Sequence, residues 1–206
     1  MNIFSIDSPL MRTLNKIANL MILNVLTLVC CVPLITGGAA LTALHYMCLK
    51  IARDEETKIL AGYFKAFAVN FKQSTMIWLL LLLAVAVLGG DIAIMYYAVI
   101  DFPIVVRIAV FIMCILLLCT ALYVFPLQAK FENPVRITIK NAFRFSLSQF
   151  PRTVVMVALF FVAPLMLMIS ERFAAVVFFF GISFHAYACA LLYNTPFKKM
   201  EERSAE

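Results

Sequence analysis

Charge is scarce in this sequence. Only 14% of its 206 residues are Asp, Glu, Lys or Arg, against about 25% in a typical soluble domain. That deficit excludes an ordinary water-soluble globule. The 65% of residues that are hydrophobic and a mean hydropathy of +1.00 point instead to a polytopic membrane protein. Metal and redox patterns are missing too. There are two histidines, and the six cysteines (30, 31, 48, 114, 119 and 189) all fall within apolar runs. None forms a C-x-x-C or a Cys/His set with zinc spacing. Cys30 and Cys31 are neighbours, so their Cα atoms lie about 3.8 Å apart, below the usual disulfide range. The thiols therefore read as small hydrophobes.

No Ser/His/Asp set sits in a loop, and neither a P-loop nor a G-x-G-x-x-G occurs. Gly37-Gly38 follows no strand, so it lacks the context that a phosphate-cradling loop requires. No catalytic residue, metal or cofactor is expected. The net charge of +6 suits a partner of opposite sign. With nineteen Phe and apolar runs of membrane length, that partner is expected to be anionic lipid rather than nucleic acid.

The apolar runs set the architecture. Ser8-Pro9 places a capping hydroxyl before a proline at a helix start. From Ile17 the chain is almost continuously apolar to Thr36, where Pro33 and Gly37-Gly38 stop the helix. A shorter apolar stretch covers 37–53, and longer ones cover 75–100, 104–127, 153–170 and 173–193. Charge placement decides whether 37–53 is a true span. With six spans and both termini inside, the segments 1–16, 50–74, 128–152 and 194–206 hold 15 of the 17 Lys and Arg. Five spans would leave 13 against 4. The positive-inside bias favours six. The expected fold is thus all-α: one domain over 1–206, six transmembrane helices, N- and C-termini cytosolic, in the cell membrane. Outer connections at 33–38, 100–103 and 170–172 leave no room outside for a ligand-capturing domain.

The N-terminal stretch superficially resembles a signal peptide, with Gly38-Ala39-Ala40 as its small residues. Its apolar core is long for that, and cleavage would strip helix 37–53 of its partner. Lipoprotein processing at Cys31 would want a small residue where Val29 stands. Both processing routes are therefore disfavoured.

Two inside segments have helical period. In 58–73, Leu60, Phe64, Phe67 and Phe71 share a stripe, while Lys58, Lys65 and Lys72 recur every seven residues on the other side. After Asn133-Pro134, Ile139, Phe143, Leu147 and Phe150 share a face beside Lys140 and Arg144. Each is expected to be an amphipathic elbow helix at the cytosolic interface, feeding into a span. The two align at an offset of 76 residues, which leaves an internal duplication open beside simple physical similarity. The elbows suit either a docking platform or a pair of lipid-anchored structural helices. Arg53-Asp54-Glu55-Glu56 forms a charged cluster beyond helix 37–53, either a solvated helix end or a docking patch for a basic partner.

Ionisable and amide groups inside the bilayer are the other candidates. Asp91 and Arg107 lie on the same membrane side across a short turn, and a structural ion pair between them is favoured over a proton or substrate site. His185, beside Tyr187 and Cys189, is expected to hydrogen-bond a neighbouring helix. His45 lies one turn from Thr42. Thr13, Asn24, Thr27 and Cys31 form a polar line on the first helix, and Ala39 and Ala43 give a small-xxx-small spacing for close helix approach.

Several motifs together carry a resemblance. They are Ile17-Ala18-Asn19-Leu20, Leu23-Asn24, CCVPLITGGAALTALHYMCLKIARDEE at 30–56, FKAFAVNFKQSTMIWL at 64–79, FPLQAKFENPV at 125–135 and IKNAF at 139–143. In this order and spacing the chain resembles the YesL-like integral membrane family of Gram-positive bacteria, up to about residue 150. That family has no established function and no catalytic residues to carry over. Its recurring positions match Pro33, Gly38, Thr42, Arg53, Asp54, Glu55, Glu56, Asn70, Phe71, Asn133 and Asn141 here. Members are usually encoded beside sugar ABC importers and polysaccharide-degrading enzymes, which implies an accessory role in carbohydrate uptake.

The expected function is a non-enzymatic accessory subunit of carbohydrate ABC import. It would meet an importer permease or another membrane subunit through Arg53, Asp54, Glu55, Glu56, Lys65, Asn70, Phe71, Asn133 and Asn141. A homo-oligomer is a further option. The alternative is a self-sufficient small transporter or channel, or a substrate-capturing membrane subunit, with a polar cavity containing Asn24, Asp91 and His185.

Overall fold

The computed structural model describes residues 9–55, 58–97 and 102–205. Seven α-helices account for almost all of them: α1 (Pro9–Cys31), α2 (Gly37–Ala52), α3 (Ile59–Tyr97), α4 (Ile104–Lys130), α5 (Val135–Ser148), α6 (Phe150–Ile169) and α7 (Ala174–Ala205). Short 3₁₀ turns at Leu34–Thr36 and Glu171–Phe173 lead into α2 and α7. No strand occurs among the described residues. Six stretches are long and apolar enough to cross a membrane: Leu10–Cys31, Leu34–Ala52, Ile59–Tyr97, Ile104–Lys130, Phe150–Ile169 and Glu171–Glu202. The chain is a multi-pass membrane protein, and 37–53 provides one of its spans.

That short helix is the hub. Two thirds (67%) of the apolar window of α2 is buried, against 6% for α3. It packs on α1, α3, α4 and α7. Its sequence, GGAALTALHYMCLKIA, puts small residues on several sides, so neighbours approach all round it. A helix that is apolar on every face belongs inside. Its 16 residues rise only about 24 Å, less than a hydrocarbon core of about 30 Å. Being wrapped by protein removes the need to match the lipid. Gly37 and Gly38 have ordinary helical backbones, since no described glycine has a positive φ. Their role is closeness. A β-carbon on Gly38 would lie 2.5 Å from Cβ of Trp78. The Thr42 hydroxyl lies 2.8 Å from Oγ of Ser74 and also bonds the Gly38 carbonyl. The Trp78 indole donates to the Leu34 carbonyl at 2.7 Å, tying α3 to the turn before α2.

The core gathers at one end, the end where Lys50, Arg53, Lys130 and Arg152 stand, here termed the basic end. On α3 the buried positions are Tyr63, Ala66, Ser74 and Ile77, and on α4 they run from Thr120 to Gln128. On α6 only Thr153 and Met156 are buried. Toward the other end, α3 and α4 expose Leu83, Val87, Ile92, Ile108, Phe111 and others. Lipid solvates such surfaces as well as a protein core would, so nothing drives those halves together.

The two stretches expected as elbow helices differ. Residues 59–73 run unbroken into the span as part of a 39-residue helix, about 58 Å long at 1.5 Å per residue. The second is a separate helix, α5, whose end at Ser148 has a local cause. Pro151 in the first turn of α6 has no N–H to continue the ladder, and Gln149 turns with φ −107°, ψ 38°. Thr153 stitches the corner by donating to the Ser146 carbonyl at 2.7 Å.

Candidate functional site

The basic end is held by charge pairs between helices. α2 closes with a Schellman arrangement in which Glu55 N–H donates to the Lys50 carbonyl and Asp54 N–H to that of Ile51. The motif needs a left-handed residue, and Asp54 takes it with φ 55°. Asp is among the few non-glycine residues that tolerate this region. The turn sends neighbouring side chains in different directions. Arg53 points to α7, with Nε donating to Oδ1 of Asn194 at 2.8 Å. Its terminal nitrogens fork onto the Glu201 carboxylate at 2.8 and 3.3 Å. Lys130 reaches the same carboxylate at 3.1 Å. Asp54 points to α1, where Lys16 Nζ lies 2.6 Å away. That hydrogen bond holds the Asp54 carboxyl below its ordinary value.

This geometry sorts the residues expected to dock a partner. Arg53, with a side chain only 10% exposed, serves the α2–α7 joint. Asp54 remains exposed but is engaged with Lys16. Glu55 lies 3.9 Å from Lys50. Glu56 falls outside the described residues.

Of the rest of that set, Lys65, Asn70, Asn133 and Asn141 line two recesses. One, about 340 Å³, opens between α2, α3 and the end of α4 and includes Lys65 and Asn70. The other, also about 340 Å³, lies between α4, α5 and α7 and includes Asn133 and Asn141. Phe131 and Glu132 line both and form the wall between them. Asn70 spends its Nδ2 on the Ala66 carbonyl at 3.0 Å. Phe71 is exposed on the other flank of α3, its ring 5.5 Å from that of Phe67.

Sequence reasoning missed Gln128, the buried amide beneath this wall. Its Nε2 donates to Oε1 of Gln73 at 2.6 Å, and its Oε1 accepts from Thr138 at 3.2 Å. One side chain thus joins α3, α4 and α5. Glu201 and Asn194, the partners of Arg53, were missed as well. Only Gln128 left a signal, as an amide at the end of an apolar run just after Pro126.

The polar groups within the spans are dispersed. Asn24 is fully buried, and its carboxamide binds one turn of α7. It donates to the Phe178 carbonyl at 2.6 Å and accepts from the amides of Ile182 at 3.1 Å and Ser183 at 2.8 Å. His45 Nδ1 lies 3.3 Å from the Tyr193 hydroxyl. His185 Nε2 lies 3.4 Å from Sγ of Cys189, and its ring meets Phe160 of α6 edge-on. His185 lines an apolar groove between α6 and α7 that contains neither Asn24 nor Asp91. Asp91 is exposed on α3. Among the described ion pairs none joins it to Arg107, contrary to expectation. Among the described residues, no three His, Cys, Asp or Glu side chains stand close enough to hold a metal.

Chemically, the basic end offers ammonium groups, amides and one carboxylate around two recesses. A family model described as "Protein of unknown function, DUF624" matches residues 20–92, from the middle of α1 through most of α3. That is the family of YesL-like proteins generally, so the match supports the resemblance over less than half of the chain. No curated protein and no solved structure matches.

Proposed function

We propose that this chain is a non-enzymatic membrane subunit whose basic end faces the cytosol and docks a partner subunit of a carbohydrate ABC importer. The observation that carries the docking surface is the pair of adjoining recesses. They bring Lys65 and Asn70 of α3 beside Asn133 and Asn141 of the α4–α5 corner. The orientation is supported by the 15 of 17 basic residues assigned to that side. The importer setting is supported by the YesL-like resemblance alone. Relative to the sequence-based set, the surface is narrower: Arg53 and Asp54 hold helices together, while Lys65, Asn133 and Asn141 face outward or into the recesses.

Crosslinking and mild-detergent purification from native membranes test this. Recovery of an importer permease or ATPase component is expected, and it drops several-fold on Asn141→Arg or Lys65→Glu at unchanged protein level. Recovery of the chain with no transporter subunit in either case overturns the proposal.

A further inference from the structure

The recess between α2, α3 and α4 is more basic than a helix end requires. Lys50 comes from α2, Lys65 from α3 and Lys130 from α4, and Glu132 is the single carboxylate in its lining. Lys50 and Lys130 each stand in the last turn of a helix, where a cation complements the helix dipole. Each also has a carboxylate partner, Glu55 at 3.9 Å and Glu201 at 3.1 Å. Glu201, however, is shared with Arg53. Lys65 has neither excuse. It lies in the second turn of α3, far from a helix C-terminus, with no carboxylate partner among the described ion pairs. Lys65 is therefore the charge in this lining that a bound anion would complete, with Lys50 and Lys130 adding to the local field.

The second observation concerns what lies beside the recess. Val69 lines it and is 71% exposed. From Val69 the same face of α3 continues at helical spacing through Met76, Leu80, Leu83 and Val87, all exposed. Lys72 falls on this face near its basic end, and Lys58 stands just before α3 begins. One surface of one helix therefore passes from lysines at a polar recess, past Lys72 and Gln73, to an apolar strip that begins at Met76. That is the profile of a phospholipid, with a phosphate-bearing head and acyl chains leading away from it. The strip is the lipid-facing surface of the span, so a headgroup held at the lysines would keep its acyl chains in the bilayer beside it.

We propose that this recess binds the headgroup of an anionic phospholipid, with Lys65 as its principal contact, Lys50 and Lys130 behind it, and the acyl chains along Val69, Met76, Leu80 and Leu83. Basic pockets between membrane helices are suited to such headgroups. The site shares Lys65 and Asn70 with the docking surface proposed above but does not rest on it. Lipid retention is read on the isolated protein, and partner recovery on membranes.

The test is native mass spectrometry of the purified full chain, titrated with phosphatidylglycerol or with phosphatidylcholine of matched chains. Phosphatidylglycerol is expected to be retained preferentially. Lys65→Gln should weaken its retention by about fivefold, the worth of roughly one interfacial lysine, and Lys65→Arg should restore it. Glu132→Gln should strengthen it. Lys65 is exposed, so these variants are expected to keep the wild-type melting temperature. Lys140→Gln, a surface lysine of α5 outside the recess, should change nothing. Equal retention of both lipids, or an equal loss in Lys140→Gln, would reduce the effect to annular contact or net charge and overturn the proposal. Displacement of the lipid by millimolar inorganic phosphate, beyond that by chloride at the same ionic strength, would assign the lysines to a soluble anion and overturn it as well.

Discussion

Gly38 and Ser74 lie so close that a β-carbon on Gly38 would stand 2.3 Å from the Ser74 carbonyl oxygen. The obstacle is backbone, which cannot rotate aside. Gly38→Ala must therefore push α2 off α3 at the centre of the bundle. Overpacking of this kind costs about 1–3 kcal/mol, outweighing the roughly 1 kcal/mol that alanine gains over glycine in a helix. Gly89, on the open half of α3, has nothing within 4 Å of the same added atom. Gly89→Ala should be neutral or slightly stabilising. Thermal unfolding in detergent should separate the two variants, and equal melting temperatures would contradict this packing.

The fork from Arg53 to Glu201 should register as a strong coupling. Both of its hydrogen bonds are charge-assisted, and the arginine is almost fully covered. A double-mutant cycle with Arg53→Gln and Glu201→Gln is expected to give about 1–2 kcal/mol of interaction. The Lys50–Glu55 pair, at 3.9 Å and partly exposed, should give under about 0.5 kcal/mol. Arg53→Lys should behave like a loss, because an ammonium cannot bond Asn194 and both carboxylate oxygens at once.

Asp54 combines a left-handed backbone with a lowered carboxyl pKa. Its depressed pKa means that its stabilising contribution is present above the ordinary carboxylate range and is lost as pH falls through the folded value. Asp54→Asn should thus lower the melting temperature slightly at neutral pH and make no difference in strong acid. Asp54→Gly should tolerate the turn, whereas Asp54→Val, with a branched side chain at φ 55°, should melt lowest of the three. A melting series over pH 2–7 with the three variants reads both effects.

Much of the bundle was legible because membrane spans are written in long, charge-free runs. Charge counting also separated six spans from five, and it kept 37–53 as a span despite its shortness. The centrality of that helix was harder to see. Its GGAALTAL start advertises close approach, but nothing in a linear sequence says from how many sides. The stripe of Leu60, Phe64, Phe67 and Phe71 reads in sequence as the membrane side of an interfacial helix, but the stripe that packs on protein is not marked there. It is Tyr63, Ala66, Ser74 and Ile77, about one residue round the helix, where small and hydroxyl groups pack against α2. At the basic end, Arg53 and Asp54 looked alike in sequence. A single left-handed residue sends them to opposite partners, α7 and α1. Lys65, Asn70, Asn133 and Asn141 were named from sequence, but their sorting into two recesses with a common wall depended on long-range packing.

The contact of Asn24 with α7 makes the last expectation specific. In a regular helix the Phe178 carbonyl accepts from the Ile182 amide four residues on. Here the Asn24 carboxamide donates to that same carbonyl and accepts from that same amide, and from Ser183 as well. Within a membrane no water replaces these bonds when the side chain is removed. Asn24→Leu keeps the volume and removes both functions, so up to three backbone groups lose a partner, at a cost of about 1–3 kcal/mol for a buried orphan. Asn24→Asp keeps an acceptor but loses the donor to Phe178, and it places a charge in the core, so it should be at least as damaging. The discriminating readout is local: hydrogen exchange at Ile182 and Ser183 should accelerate in Asn24→Leu, while exchange in α3 stays at the wild-type rate. Unchanged exchange at those two amides would mean that α7 closes its own ladder there, and that Asn24 is a passenger rather than a clasp between α1 and α7.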